Sequence, residues 1–276
     1  MKTTEQAIWD KAPALPLNVG GKALEYACFG PEPGQAPTIV ALHEGLGCAA
    51  RWRDFPERLV DATGWGCCVY SRAGYGQSNP SELPRPLDYM TREAVDVLPD
   101  VLDRIGFKRG VLLGHSDGAT ISAIYAGSVQ DHRVRGLILM SPHFFAEEMG
   151  LAEISKAREA YVTGDLRDRM ARYHHDPDNA FWGWNDTWLH PRFKDWNVAD
   201  VIDYLRIPVL AIQGNDDQYG TVAQIDEIES RIYSPLNVEL LEDCRHSPHL
   251  DQPEKTLDAI REYLARLERI DSEDSV

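Results

Sequence analysis

Short apolar runs rich in β-branched residues alternate along the chain with longer stretches whose apolar positions recur every three to four residues. The strand candidates are Thr38–His43, Cys67–Ser71, Gly110–His115, Val134–Met140, Pro208–Gln213 and Asn237–Leu241. Most are almost continuously hydrophobic, as expected of strands covered on both faces. Between them, Ala94, Val97, Leu98, Val101, Leu102 and Ile105 keep helical spacing. Pro99 should kink that helix or force an irregular turn, because it offers no N–H and its ring crowds the preceding turn. Leu257, Ile260, Leu264 and Leu267 repeat the rhythm after Pro253. Strand–helix alternation of this kind predicts an α/β protein with a parallel sheet and helices on both faces. Lys22–Phe29, bounded by Gly20-Gly21 and Gly30-Pro31, suits an antiparallel edge ribbon at the start.

The rhythm breaks between Phe144 and Arg206, where no convincing buried strand occurs. Helical stretches (Leu151 to Val162, Leu166 to Tyr173) share this segment with Trp182, Trp184, Trp188 and Trp196, beside Phe181 and Phe193. The expected organisation is a core in two parts, residues 1–143 and 207–270, an inserted helical segment over 144–206, and an acidic tail over 271–276 that frays. Most of the aromatic cluster should form the insertion's own core, with one or two side chains facing a pocket, Trp182 and Trp184 being the candidates. Phe144 and Phe145, directly after the sixth strand, are pocket candidates by position.

Composition narrows the class. The 276 residues carry 28 basic and 44 acidic side chains, a net charge of −16, with no Lys/Arg run. Such a surface repels phosphates, so nucleic acid and anionic membranes are poor partners. The N-terminus has no apolar signal segment, and no run reaches the roughly 18–20 apolar residues of a membrane span. Five cysteines without a C-x-x-C pair argue against a disulfide framework or thiolate zinc site and favour buried free thiols in the cytoplasm. What is left is an enzyme or binder of a small molecule.

The sharpest local signal is Gly114-His115-Ser116-Asp117-Gly118, which follows the run Val111-Leu112-Leu113 and opens a small-residue helix from Ala119 to Gly127. In a sharp strand–turn–helix the central residue is strained and its neighbours at ±2 must be small, which projects the serine hydroxyl above the sheet at a helix N-terminus. Serine is a weak nucleophile at neutral pH and needs an oriented base. The histidine candidates, His246 and His249, lie in one loop after the last strand, and Asp216 and Asp217 follow the strand before it. His43-Glu44 does not begin an H-E-x-x-H zinc site, because position 47 is Gly. Adjacent side chains usually diverge, so His174-His175-Asp176-x-Asp178 is not expected to bind a metal. No metal or cofactor is expected.

With the Ser116 turn, the loop His43-Glu44-Gly45-Leu46-Gly47 after the third strand and Arg72-Ala73-Gly74-Tyr75-Gly76-Gln77-Ser78 after the fourth, the chain resembles the α/β-hydrolase superfamily over roughly residues 20–268. Within it the chain looks like the esterase and ring-fission-product hydrolase group with a helical cap inserted after the sixth strand. The resemblance implies Ser116 as nucleophile, Asp217 from the Gly-x-x-Asp spacing as the acid, and His246 as the base. It also implies an oxyanion hole from the backbone N–H groups of Asp117 and Gly45. Two departures stand out: Arg245 precedes the histidine where relatives often have Gly, and Glu44 occupies a position where relatives usually have Gly. A carboxylate there opposes developing negative charge unless Arg51, Arg53 or Arg72 pairs with it. The expected activity is hydrolysis of a small, largely apolar carboxylic ester. C–C hydrolysis of ring-fission products, lactonase and thioesterase chemistry share the same machinery, and a non-catalytic binding module is the reading from another class. Ring-fission hydrolases typically carry a Gly-rich, Pro-containing loop that His43–Gly47 lacks. The acidic surface and Glu44 favour neutral or cationic substrates unless arginines line the pocket.

Overall fold

The computed structural model describes Ala7, Trp9 and residues 15–273. In chain order the strands are β1 (Leu15–Val19), β2 (Lys22–Phe29), β3 (Thr38–Leu42), β4 (Gly66–Tyr70), β5 (Gly110–His115), β6 (Val134–Met140), β7 (Val209–Gly214) and β8 (Leu236–Leu241). They form one sheet in the order β1-β2-β4-β3-β5-β6-β7-β8. The β1–β2 hairpin, turning at Gly20-Gly21, joins antiparallel to β4, and all pairings from β4 to β8 are parallel. Every residue of β3, β4, β5 and β7 is buried, which explains their unbroken apolar runs.

The helices are α1 (Phe55–Thr63), α2 (Tyr89–Arg92), α3 (Leu98–Arg104), α4 (Asp117–Ser128), α5 (Glu148–Thr163), α6 (Leu166–Met170), α7 (Pro177–Trp188), α8 (Ala223–Arg231), α9 (Pro248–Asp251) and α10 (Pro253–Glu273). One face of the sheet packs on α1 and α10, through Phe55, Leu59, Ile260 and Leu264. The other packs on α2, α3, α4 and α8, with Leu98, Val101, Ile121 and Ile225 in its core. Pro99 acts as its chemistry dictates: the helical stretch is interrupted by a π-turn over Glu93–Val97 and resumes as α3 with Pro99 in its first turn, where no N–H is needed. Helices α5, α6 and α7 and two 3₁₀ turns (Pro191–Asp195, Ala199–Tyr204) lie between β6 and β7. Helix α10 is described as far as Glu273; residues 274–276 of the expected acidic tail lie outside the described residues. All five cysteines are free and buried. No described helix is long and apolar enough to cross a membrane.

Candidate active site

Parallel strands leave their carboxyl ends on one edge of the sheet, and loops leaving that edge converge. Here the loops after β3, β5 and β8 bring Glu44–Leu46, Ser116 and His246 to a single cavity of about 240 Å³, and the loop after β7 places Asp217 against His246.

The turn after β5 explains its own sequence. Ser116 adopts φ 54° and ψ −117°, a conformation L-residues rarely hold. A Cβ on Gly114 would strike Gly118 O and the Ala119 backbone, and one on Gly118 would strike the Leu42 carbonyl. The Ser116 carbonyl accepts from Ala119 N (2.9 Å) and Thr120 N (3.1 Å). In a trans peptide the adjoining N–H points the opposite way, so the Asp117 N–H is directed away from the body of α4.

The same geometry acts in the β3 loop. Arg72, buried, donates to the carbonyls of His43 (2.5 Å) and Glu44 (3.0 Å), and the His43 Nδ1–H also donates to Glu44 O (2.7 Å). His43 Nε2 accepts from Arg72 N (3.0 Å), and burial with the Arg72 charge holds this ring neutral, well below its usual pKa. With the Glu44 carbonyl turned toward Arg72, the Gly45 N–H faces the other way. Gly45, Ser116 and Asp117 all line the cavity, and the Trp184 indole lies so close over Gly45 that a Cβ there would meet Nε1.

His246 Nδ1 lies 2.9 and 2.8 Å from the two carboxylate oxygens of Asp217. Asp217 also accepts from Tyr219 N (2.8 Å) and Gln213 Nε2 (2.9 Å). Burial opposes its ionisation, but the His246 charge and hydrogen bond and the Tyr219 N–H outweigh it, so the carboxyl stays well below the usual range. With Nδ1–H donating to Asp217, Nε2 is left as the basic nitrogen. Of the alternatives in the sequence, Asp216 is exposed, and His249 packs on Trp52 (4.9 Å between ring centroids) and Phe55 (5.5 Å).

Asp117 itself is buried, and burial raises its pKa. It accepts from Tyr89 Oη (2.5 Å), whose oxygen in turn accepts from Trp188 Nε1 (3.0 Å), and Arg72 lies 3.8 Å away. Helix α7 is thereby tied to the turn that carries Ser116. Of the three arginines considered for Glu44, Arg51 is the one in reach, at 3.9 Å, with His115 Nδ1 at 3.6 Å on the other carboxylate oxygen. Burial pushes the Glu44 carboxyl up, but His115 and Arg51 hold it well below the usual range, so it is ionised.

Among the expected pocket residues, Trp184 lines the cavity. Trp182 instead packs edge-on against Tyr161 and Phe181, under Arg158. Phe144 is fully buried in the main core and Phe145 bridges to Asn197; Gln224 accepts from Phe144 N and donates to Phe145 O, and neither residue lines the cavity. The walls are supplied instead by His143, Leu151, Ile154, Trp188 and Tyr219. Ile154 and Leu151 recur at helical spacing on α5 and could have been sought there; His143 and Tyr219 carry no sequence signal beyond lying in loops after β6 and β7. His143 is pushed down to about 3 by burial and stays neutral. The His174–Asp178 segment has other work: His174 accepts from Gly76 N and donates to Leu46 O, Asp176 caps α7, and Asp178 binds Arg167 and Tyr161.

Comparison with known proteins agrees with this architecture. The chain belongs to the alpha/beta hydrolase family, whose model matches residues 39–259. It is similar to the proline iminopeptidase of Lactobacillus helveticus (strain DPC 4571), with 21% identity over 84% of this chain and 91% of that protein. Among solved structures it is similar to the proline iminopeptidase of Mycobacterium smegmatis (TM-score 0.73, 19% identity, 94% of this chain and 99% of the other). The enol-lactonase of Burkholderia xenovorans LB400 is comparable (0.71, 19%, 91% and 99%). So is a thermophilic esterase of Thermogutta terrifontis (0.70, 17%, 94% and 99%). At these identities the structural likeness is one of fold.

Proposed function

We propose that this hydrolase is a serine esterase that cleaves a small, largely apolar carboxylic ester through Ser116, His246 and Asp217. The observation that carries the reading is that His246, paired with Asp217 behind it, lines the same cavity as a serine held in a strained turn. Ser116 Oγ attacks the carbonyl carbon while His246 Nε2 takes its proton. Asp217 fixes the ring and balances its charge. The N–H groups of Gly45 and Asp117 receive the oxyanion. Collapse of the tetrahedral adduct breaks the ester C–O bond, and His246 passes its proton to the leaving alkoxide. Water, deprotonated by His246, then attacks the acyl-enzyme, and carboxylic acid leaves as Ser116 regains its proton. Residues 144–206 act as a cap, with Trp184 and Trp188 forming the roof of the cavity.

One observation favours a second reading. Glu44, held ionised beside His115 and Arg51, is among the residues that border the cavity, so it offers a place for a substrate ammonium. Together with the proline iminopeptidases among its relatives, this supports amide cleavage after an N-terminal residue. A fluorophosphonate probe should label the wild type and not Ser116→Ala; absence of labelling of the wild type would sink both readings. A panel of nitrophenyl esters, a lactone, a ring-fission product and prolyl nitroanilide then ranks the substrates. Faster turnover of the anilide than of any ester would transfer the conclusion to the second reading.

A further inference from the structure

Beside the cavity of Ser116 lies a second one, of about 320 Å³, and the two share Leu46 and Arg51 as a common wall. Its far side is built by α6 and the turn that follows, which contribute Arg169, Arg172, Tyr173 and His174. Three guanidinium groups and no carboxylate line it, in a chain with a net charge of −16.

The arginines differ in how far their charge is already used. Arg51 is shared with Glu44 at 3.9 Å, and its guanidinium carbon sits 5.4 Å over the Tyr173 ring, a cation–π contact that fixes it at the threshold between the cavities. Arg169 reaches back one turn to the exposed Asp165 at 3.3 Å, a pair screened by water. Arg172 has no acidic partner among the described residues. Neighbouring arginines on the same insertion are neutralised: Arg158 pairs with Asp186, and Arg167 with Asp178. His174 does not compete for a ligand, since both ring nitrogens are spent on Gly76 N and Leu46 O. Planar guanidinium groups with free donors around a concave wall are the chemistry that recognises carboxylate or phosphate oxygens.

Resting on the hydrolase reading above, we infer that the second cavity is an anion-binding annex. It holds a carboxylate or phosphate at the end of the substrate remote from the bond cleaved at Ser116. The substrate is then bipolar in layout: a reactive carbonyl in an apolar, Trp-roofed chamber, and an oxyanion beyond Arg51 against Arg172 and Arg169. The same layout reverses the charge preference suggested by the acidic surface, because local arginines and not net charge face the ligand at close range.

The test has a hydrolytic and a binding arm. The mono-nitrophenyl ester of glutaric acid should be hydrolysed with a kcat/KM at least about tenfold above that of the uncharged nitrophenyl valerate, mainly through KM. The ratio should fall toward one in Arg172→Gln. In Arg172→Glu it should drop below one, and an ester ending in an ammonium group should become the better substrate, a gain that misfolding cannot produce. Calorimetric titration of Ser116→Ala with glutarate and with inorganic phosphate reads the annex without turnover and separates carboxylate from phosphate. Saturable binding of either, weakened by Arg172→Gln, is the expected result. Binding of neither anion, binding indifferent to Arg172, or a wild-type ratio of one with indifference to Arg172→Glu overturns the annex. Loss of all turnover and labelling with anion binding retained overturns the hydrolase reading alone.

Discussion

The Nε2–H of His115 donates to the carbonyl oxygen of His246 across 2.6 Å, in a fully buried contact. The other ring nitrogen faces Glu44 at 3.6 Å. One imidazole therefore joins three loops: the turn of Ser116, to which it belongs, the loop of His246, and the loop of Gly45. Misplacing reacting groups by about an ångström costs on the order of a hundredfold in rate. We expect His115→Phe, which keeps an aromatic ring and removes the donor, to lower kcat by about ten- to a hundredfold with a smaller change in KM. Steady-state kinetics beside thermal melting check this. A melting temperature lowered with kcat unchanged would limit His115 to a structural role.

The pairing at His246 separates two adjacent carboxylates. Asp217→Asn removes the acceptor that orients the ring, and a loss of about 10³–10⁴ in kcat is expected, as when an orienting carboxylate is replaced in other triads. Asp216→Asn, at an exposed position, should leave kcat within about twofold and stability within about 0.5 kcal/mol. Equal losses from both variants would contradict the assignment.

Much of this was legible in the residues. The parallel sheet could be read because fully covered strands must be continuously apolar, and β5 and β6 fall where that pattern puts them. Ser116 could be read because sterics dictate small residues around a strained turn. The pocket walls could not. Trp182 and Trp184 are two positions apart on α7, and helical geometry sends them to different faces, so only packing against Tyr161 or Gly45 decides which one meets the cavity. Phe144 illustrates the same limit, since a residue a few positions past a strand can turn into the core as readily as toward a ligand. The His115–His246 contact joins residues 131 positions apart through a backbone carbonyl, and sequence carries no trace of such an acceptor.

Two glycines of the site should respond differently to a methyl group. At Gly118 the added Cβ meets the Leu42 carbonyl, backbone of a central strand that cannot yield, so Gly118→Ala should destabilise by about 3 kcal/mol or more, or prevent folding. At Gly45 the obstacle is the end of the Trp184 side chain. Gly45→Ala should fold and lose activity, and Trp184→Phe in the same chain should restore part of it. The double-mutant cycle in kcat/KM reads the coupling, and strict additivity would refute contact between the two residues.

The buried histidine His249 sets a pH dependence of stability. Burial pushes its pKa down to about 3, with the neighbouring His115 acting in the same direction, whereas an unfolded histidine titrates near 6.5. Between these values the unfolded chain binds a proton that the native chain does not, so native stability falls as pH is lowered through the window and is unaffected by this group above it. The slope from one such histidine is about 1.4 kcal/mol per pH unit at its steepest. His249→Leu keeps an apolar side chain against Trp52 and Phe55 and removes the proton site. Urea unfolding of both proteins from pH 7.5 to pH 4.5 isolates the contribution, because titrations common to the two cancel in the difference. The variant should gain on the wild type steadily below pH 6.5, and parallel curves would mean that His249 is protonated in the native state.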